Sequence, residues 1–410
     1  MAEVSVVIQD KKRSRSDWAW NFWWMLPIYP FGQRQTLCRE VVLGDIWVLE
    51  QLQGILYVVT PIRMTVVRLN EGGLLVYAPI APTQECIAFM NDLVEQYGDV
   101  KYIILPTVSG LEHKVFVGPF ARKFRNAQVY VSPSQWSYPI RLPLSWLGLP
   151  IGRTQTLPPS SQDAPFSDEF DYAILGPISL GIGPFEEVVF FHTRSQTLLV
   201  TDSVLSVPET PPDVIQLAPT ALLYHAKDHA ADVIEDTPEM RLKGWKRIAL
   251  FSFYFRPSAL DISDLGPAWK DAKQARNLAS RAYFGLYPFN WKSGWEASFE
   301  SLSAGGRLFV APILQQLILN RDPQQVLDWA DRVMKWPFTR IIGCHLEAPI
   351  VAGPIEFRQA FSFLEHHSLF PAQALPEADF ALLHDIETQL LNLGITPPAR
   401  DRIGIVNDHI

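Results

Sequence analysis

Tyr102-Ile103-Ile104-Leu105-Pro106-Thr107-Val108-Ser109-Gly110-Leu111-Glu112-His113 is the stretch on which the reading of the fold turns. The apolar run Tyr102 to Leu105 has the length and bulk of a buried strand, and Pro106-Thr107 ends it. Glu112 and His113 follow within reach of one turn. A buried strand with an acid and an imidazole just past its C-terminal end is a common way of presenting metal ligands. Val115 to Phe124 then shows a helical pattern, and Ala127 to Val131 returns as a short strand.

This order of strand, loop, helix and strand resembles the metallo-β-lactamase superfamily. The signature there is Thr-His-x-His-x-Asp-His at the end of a strand. Thr107 and His113 match it, and Glu112 stands for the aspartate. Val108 and Gly110 occupy the places of the first two histidines. The resemblance implies an α/β fold, an αββα sandwich of the metallo-β-lactamase type. It also implies which further residues belong to the site. Leu198-Leu199-Val200-Thr201-Asp202 matches the strand carrying the bridging aspartate, and Arg340-Ile341-Ile342-Gly343-Cys344-His345 matches the one carrying a late histidine. A third histidine of the first metal site belongs within residues 178–183, which hold none. One of the two sites is therefore empty of ligands, and the other has Glu112, His113, Asp202 and His345. Two carboxylates and two imidazoles suit one divalent ion, Zn²⁺ or else Fe²⁺ or Mn²⁺. Singly, each is an ordinary strand-end polar residue. Their order at three strand ends gives the set its meaning.

With 410 residues, 48% of them hydrophobic and 19% charged, the chain has ample material for a large core. The net charge of -8 argues against a nucleic-acid partner. Cys38, Cys86 and Cys344 are too few and too scattered for a disulfide framework, which suits a reducing compartment. Cys344 abuts His345 but alternates to the other face of its strand, as a packed thiol. The resemblance covers about residues 43–350. It leaves residues 1–42 as a basic and Trp-rich arm, about 203–300 as a large insertion, and 351–410 as a helical C-terminal extension.

In the arm, Lys11, Lys12, Arg13 and Arg15 precede Trp18, Trp20, Phe22, Trp23 and Trp24. Pro27 and Pro30 cut this run far short of the ~20 residues a membrane-spanning helix needs. Rings beside a basic arm have the composition of an interfacial anchor, for a membrane surface or a membrane-protein complex. The plainer reading is that the rings pack on the domain itself. Downstream, Asp45 to Glu50, Ile55 to Val59, Met64 to Leu69 and Leu74 to Tyr77 read as strands, and Thr83 caps a helix reaching Tyr97. The Pro- and Trp-rich segment 132–165, with Trp136 and Trp146, reads as a loop beside the site. His192 reads as a solvated residue before a polar turn. Within the insertion, His225 and His229 share a face if the segment is helical. They are then substitutes for the lost first site, against the commoner reading of an ordinary polar helix face.

No Gly-x-Gly-x-x-Gly follows a strand and no Gly-x-Ser-x-Gly elbow occurs, which argues against a dinucleotide-binding fold and an α/β-hydrolase. Gly54-Ile55-Leu56-Tyr57-Val58-Val59, residues 61–67 and residues 110–116 also resemble a domain family of cyanobacteria and plant plastids. That likeness implies a photosynthetic host and a location in the cytoplasm, peripheral to the thylakoid membrane. Two functions follow. One is a metal-dependent hydrolase of an ester, thioester, phosphoester or amide, a small-molecule substrate, with Glu112 or Asp202 as general base. The other is a non-catalytic binding or assembly factor that keeps the fold as a scaffold at the photosynthetic membrane.

Overall fold

The first eight strands lie side by side in the order in which the chain makes them. β1 (Val6–Val7), β2 (Leu37–Val42), β3 (Ile46–Ile55), β4 (Val58–Arg68) and β5 (Leu74–Tyr77) pair antiparallel. β6 (Val100–Leu105), β7 (Gln128–Val131) and β8 (Thr154–Thr156) then extend the sheet in parallel. The change of direction needs a crossover, and α1 (Gln84–Tyr97) supplies it. Thr83 caps α1, its hydroxyl accepting the Cys86 N–H at 3.2 Å. α2 (His113–Ala121) makes the next crossover. The computed structural model describes residues 6–7, 14–25, 28–108, 112–135, 142–366 and 375–403. Lys11, Lys12, Arg13, Pro27, Ser109, Gly110, Leu111 and Trp136, named above, lie outside them.

A second sheet has β9 (Phe170–Ser179), β10 (Pro184–His192) and β11 (Thr197–Val200) as an antiparallel meander. Between β11 and its remaining strand come α3 (Asp213–Gln216), α4 (Thr220–His225) and α5 (Pro238–Tyr254). The ribbon of β12 (Leu260–Ile262) and β13 (Phe289–Trp291) encloses α6 (Leu265–Ala272), and α7 (Trp295–Ser303), α8 (Pro312–Leu317) and α9 (Pro323–Val333) follow. β14 (Arg340–Gly343) then returns to pair with β11 in parallel, and α10 (Pro354–Gln359) and α11 (Ala381–Asn392) complete the chain.

Three apolar layers hold the elements together. Val48, Val67, Leu75 and Ile104 of the first sheet face Phe170, Val188, Phe190, Leu199 and Ile342 of the second. The opposite face of the first sheet, with Leu49, Met64, Val76 and Ile103, is covered by Phe89 and Met90 of α1 and Phe116 and Phe120 of α2. The outer face of the second, with Val189, Leu198, Val200 and Ile341, lies under Trp245 and Ile248 of α5 and Trp329 of α9. This is an αββα sandwich. Both faces of each sheet are buried, so strands such as Leu198-Leu199-Val200 read as unbroken apolar runs.

Several local expectations change. Ile55 to Val59 is not one strand: Leu56 and Tyr57, at φ 51° and 61°, form the two-residue turn between β3 and β4. No glycine marks the turn, because Tyr57 is held by edge-to-face contacts with Tyr29, Tyr224 and Tyr283 at 5.0, 5.3 and 5.0 Å. His192 is not solvated. Pairing with Phe170 and Thr197 makes it the last residue of β10, fully buried and stacked on the Phe170 ring at 4.9 Å. α4 stops at His225, so His225 and His229 share no helical face. His225 is buried against the Leu56 carbonyl and His229 is exposed. In the arm, Trp20 is buried against Phe116, ring centroids 5.5 Å apart, and Trp18 Nε1–H donates to Glu85 at 3.2 Å.

Candidate metal centre

Three strand ends meet at one edge of the sandwich. β11 and β14 are parallel neighbours with Val200 opposite Gly343. Asp202 and His345 each lie two residues beyond that pair, so equal offsets set them side by side. The loop after β6 delivers Glu112 from the other sheet, directly ahead of α2. One ligand atom each from Glu112, Asp202 and His345 lies within 4.8 Å of the other two. All three are half-buried, so solvent reaches them.

Both histidines are tethered by the same nitrogen. His345 Nδ1–H donates to the Pro61 carbonyl at 2.8 Å, and His113 Nδ1–H donates to the Pro79 carbonyl at 3.1 Å. His345 Nε2 thereby faces Glu112 Oε2 at 3.1 Å and Asp202 Oδ1 at 3.2 Å. His113 stands outside that close trio. It is fully buried, and its Nε2 has no hydrogen-bond partner. It nevertheless feels the charges of Glu112, His345 and Asp202.

The charges explain the protonation states. Burial acts to raise the Glu112 pKa, but the His345 charge and hydrogen bond overcome it and hold it down to about 2. Burial acts to lower the His345 pKa, and the two carboxylates reverse this and push it well above the usual value. For His113 burial prevails and keeps the ring neutral at a lowered pKa. Cys344 points into the layer between the sheets, where burial drives its thiol pKa well up.

Two residues that sequence patterns passed over hold the loops of these side chains in place. Glu187, fully buried at the start of β10, accepts N–H bonds from Thr201, Asp202 and Ser203 at 2.7, 3.1 and 2.8 Å, and from the Ser203 hydroxyl. Its backbone also bridges to Thr107 in the loop that leads to Glu112. One residue thus ties two of the three loops that carry Glu112, Asp202 and His345. Burial, then the charge of Asp202, pushes its pKa up to about 7. The paired acids Glu186-Glu187 ahead of an apolar strand were the available signal. Arg63, on β4, is the second. Its guanidinium spans to the carbonyls of Gly343 and Leu346 and lies 3.4 Å from that of His345, while Glu50 anchors its other edge. Of the emptied half of the motif, Val108 and Ile178 are buried apolar side chains. In the loop after β7, Ser134 bonds Glu186 and Gln135 bonds the Thr107 carbonyl, so this segment borders the site.

The model of the family described as "Domain of unknown function (DUF4336)" matches residues 43–363. No match to a curated protein was found. Among solved structures the chain is similar to a metal-soaked flavodiiron core from Synechocystis sp., at 10% identity and a TM-score of 0.38, over 80% of this chain and 60% of that one. It is similar to a metallo-beta-lactamase from Pontibacter korlensis, at 12% identity and a TM-score of 0.31, over 46% and 83%. A fragment of a putative diflavin flavoprotein from Nostoc sp. is matched at 11% identity and a TM-score of 0.38, over 87% and 99%. The match spans less than two thirds of the flavodiiron core.

Proposed function

The chain belongs to the DUF4336 domain family, and we propose that it is a hydrolase in which Glu112, His113, Asp202 and His345 hold one divalent ion. The observation that carries this is the tethering of both imidazoles. A histidine that gives its Nδ1–H to a backbone carbonyl presents Nε2 in a fixed direction, as metal-ligating histidines do. The buried, partnerless Nε2 of His113 fits a ligand better than it fits a packed core. Left unmade, such a bond costs about 1–3 kcal/mol. The donor set of two carboxylates and two imidazoles suits Zn²⁺, Fe²⁺ or Mn²⁺.

When bound, the ion would supply Lewis acidity and a nucleophile at neutral pH. The chain's own residues do the rest. Glu112 stays ionised and, with Asp202, is placed to accept a proton at its free oxygen. Glu187 keeps the Asp202 loop from moving away, and Arg63 does the same for His345. The substrate class is an ester, thioester, phosphoester or amide. A second reading, a non-catalytic scaffold at the photosynthetic membrane, draws on one observation. His345 as a cation satisfies Glu112 and Asp202 without an ion.

Chromogenic esters, thioesters, phosphodiesters and amides, assayed on protein loaded with Zn²⁺, Fe²⁺ or Mn²⁺, separate the two. Hydrolysis that Glu112→Gln lowers by about a hundredfold or more is the expected result, the usual size of a general-base effect. Metal-loaded protein that hydrolyses none of the panel supports the scaffold.

A further inference from the structure

α2 ends at Ala121, and Arg122, Lys123 and Arg125 follow directly. All three are exposed, and none forms an ion pair among the described residues. With Asn21 and Phe22 of the N-terminal arm they line one groove of about 450 Å³. Beside it Phe22, Trp23 and Trp24 are 43%, 44% and 65% exposed. Trp20, buried on Phe116 of α2, pins the arm, and the Phe22 ring, 5.6 Å from it, lines the groove with the cations, with Trp23 and Trp24 following directly in the chain. Rings of this size are seldom left together in water without a purpose.

We infer that this face docks the protein on an anionic lipid bilayer. The two halves of the patch answer the two halves of such a surface. Tryptophan rings settle at the level of the headgroups, where one edge is apolar and the other wet. Basic side chains are drawn to the anionic headgroups within a Debye length, ~8–10 Å at ordinary salt. No helix among the described residues is long and apolar enough to cross a membrane, so the contact is interfacial. The cations select this occupant: an apolar protein groove would cover the rings and leave the three charges without a partner.

Co-sedimentation of the full chain tests this with two kinds of vesicle. One is phosphatidylcholine alone, the other an equal mixture of phosphatidylcholine and phosphatidylglycerol. The protein is expected to bind the mixed vesicles at least tenfold more tightly and to release as salt rises. Trp23→Ser with Trp24→Ser, and separately Arg122→Glu with Lys123→Glu, should each weaken binding at least tenfold. Because these side chains are exposed, the melting temperature should hold in both variants. Absence of binding by the unaltered chain, equal binding to both vesicles, or full binding by the charge-reversed variant would each overturn the inference. So would a stable dimer that covers the rings.

Discussion

Arg63→Met is expected to lower stability by about 3–5 kcal/mol, the range for breaking a buried ion pair from one side. Arg63 is almost wholly buried, and its Nε–H donates to Glu50 at 2.7 Å. Burial acts to raise the Glu50 pKa, and Arg63 and Arg39 together keep it below the ordinary value. Methionine fills similar space without any donor. Glu50 then keeps only Arg39, at 3.1 Å. The carbonyls of Gly343 and Leu346 lose their bonds at the same time, which frees the turn that aims His345. Metal affinity should therefore drop by about ten- to a hundredfold, as when a supporting contact behind a ligand is removed. Urea unfolding and zinc titration of the same variant measure the two effects. Adding Glu50→Gln should recover part of the stability, since a buried acid without its partner costs more than a neutral pair. It should recover none of the metal affinity. An Arg63→Met protein as stable as the parent would remove Arg63 from the account.

Acid should destabilise the protein from about pH 6.5 down to about 4 through two buried histidines. His192 packs on Phe170 and bonds Ser195 at 2.7 Å, and burial, then the Arg194 charge, lowers its pKa to about 4. His225 donates from Nε2 to the Leu56 carbonyl at 3.2 Å, and burial lowers its pKa to about 4. The unfolded chain takes up these protons near the ordinary value of 6.5, the folded chain only near 4. Between those limits these two rings bind more protons in the unfolded state, so their contribution to stability is full above 6.5 and falls as pH falls. Each ring accounts for about 3 kcal/mol across the window. His225→Phe should flatten the pH profile by about that amount, at the expense of the Leu56 bond. Glu187, its pKa pushed up to about 7, acts in the opposite sense over the same window, so a His225→Phe profile no flatter than the parent's between pH 7 and 4.5 would contradict this.

The sandwich and the strand ends of the site were legible because both depend on local pattern. Apolar runs ending at Leu105, Val200 and Gly343 mark strands buried on both faces, and a polar residue just beyond each marks the edge. Glu187 and Arg63 were not legible. The role of Glu187 comes from the bridge to Thr107 and the pairing of β10 with β11, and that of Arg63 from a contact across 280 residues of sequence. No window of periodicity contains such contacts. His192 was misread for the same reason: a residue before a polar turn looks solvated until its strand register is known. The turn at Leu56-Tyr57 escaped because tertiary ring contacts, not turn chemistry, fix its backbone. The arm was read whole, yet it divides at Trp20, with a buried ring on one side and exposed ones on the other.

Metal content of the purified full chain, measured by mass spectrometry beside His345→Ala after incubation with Zn²⁺, Fe²⁺ and Mn²⁺, bears most directly on the site. Glu112, Asp202 and His345, with ligand atoms within 4.8 Å of one another, and His113 as the proposed fourth donor predict about one equivalent in the parent chain. The variant should retain at least tenfold less, since losing a ligand exceeds the effect of losing its support. A parent chain that binds no metal, or that binds two ions, would contradict the account.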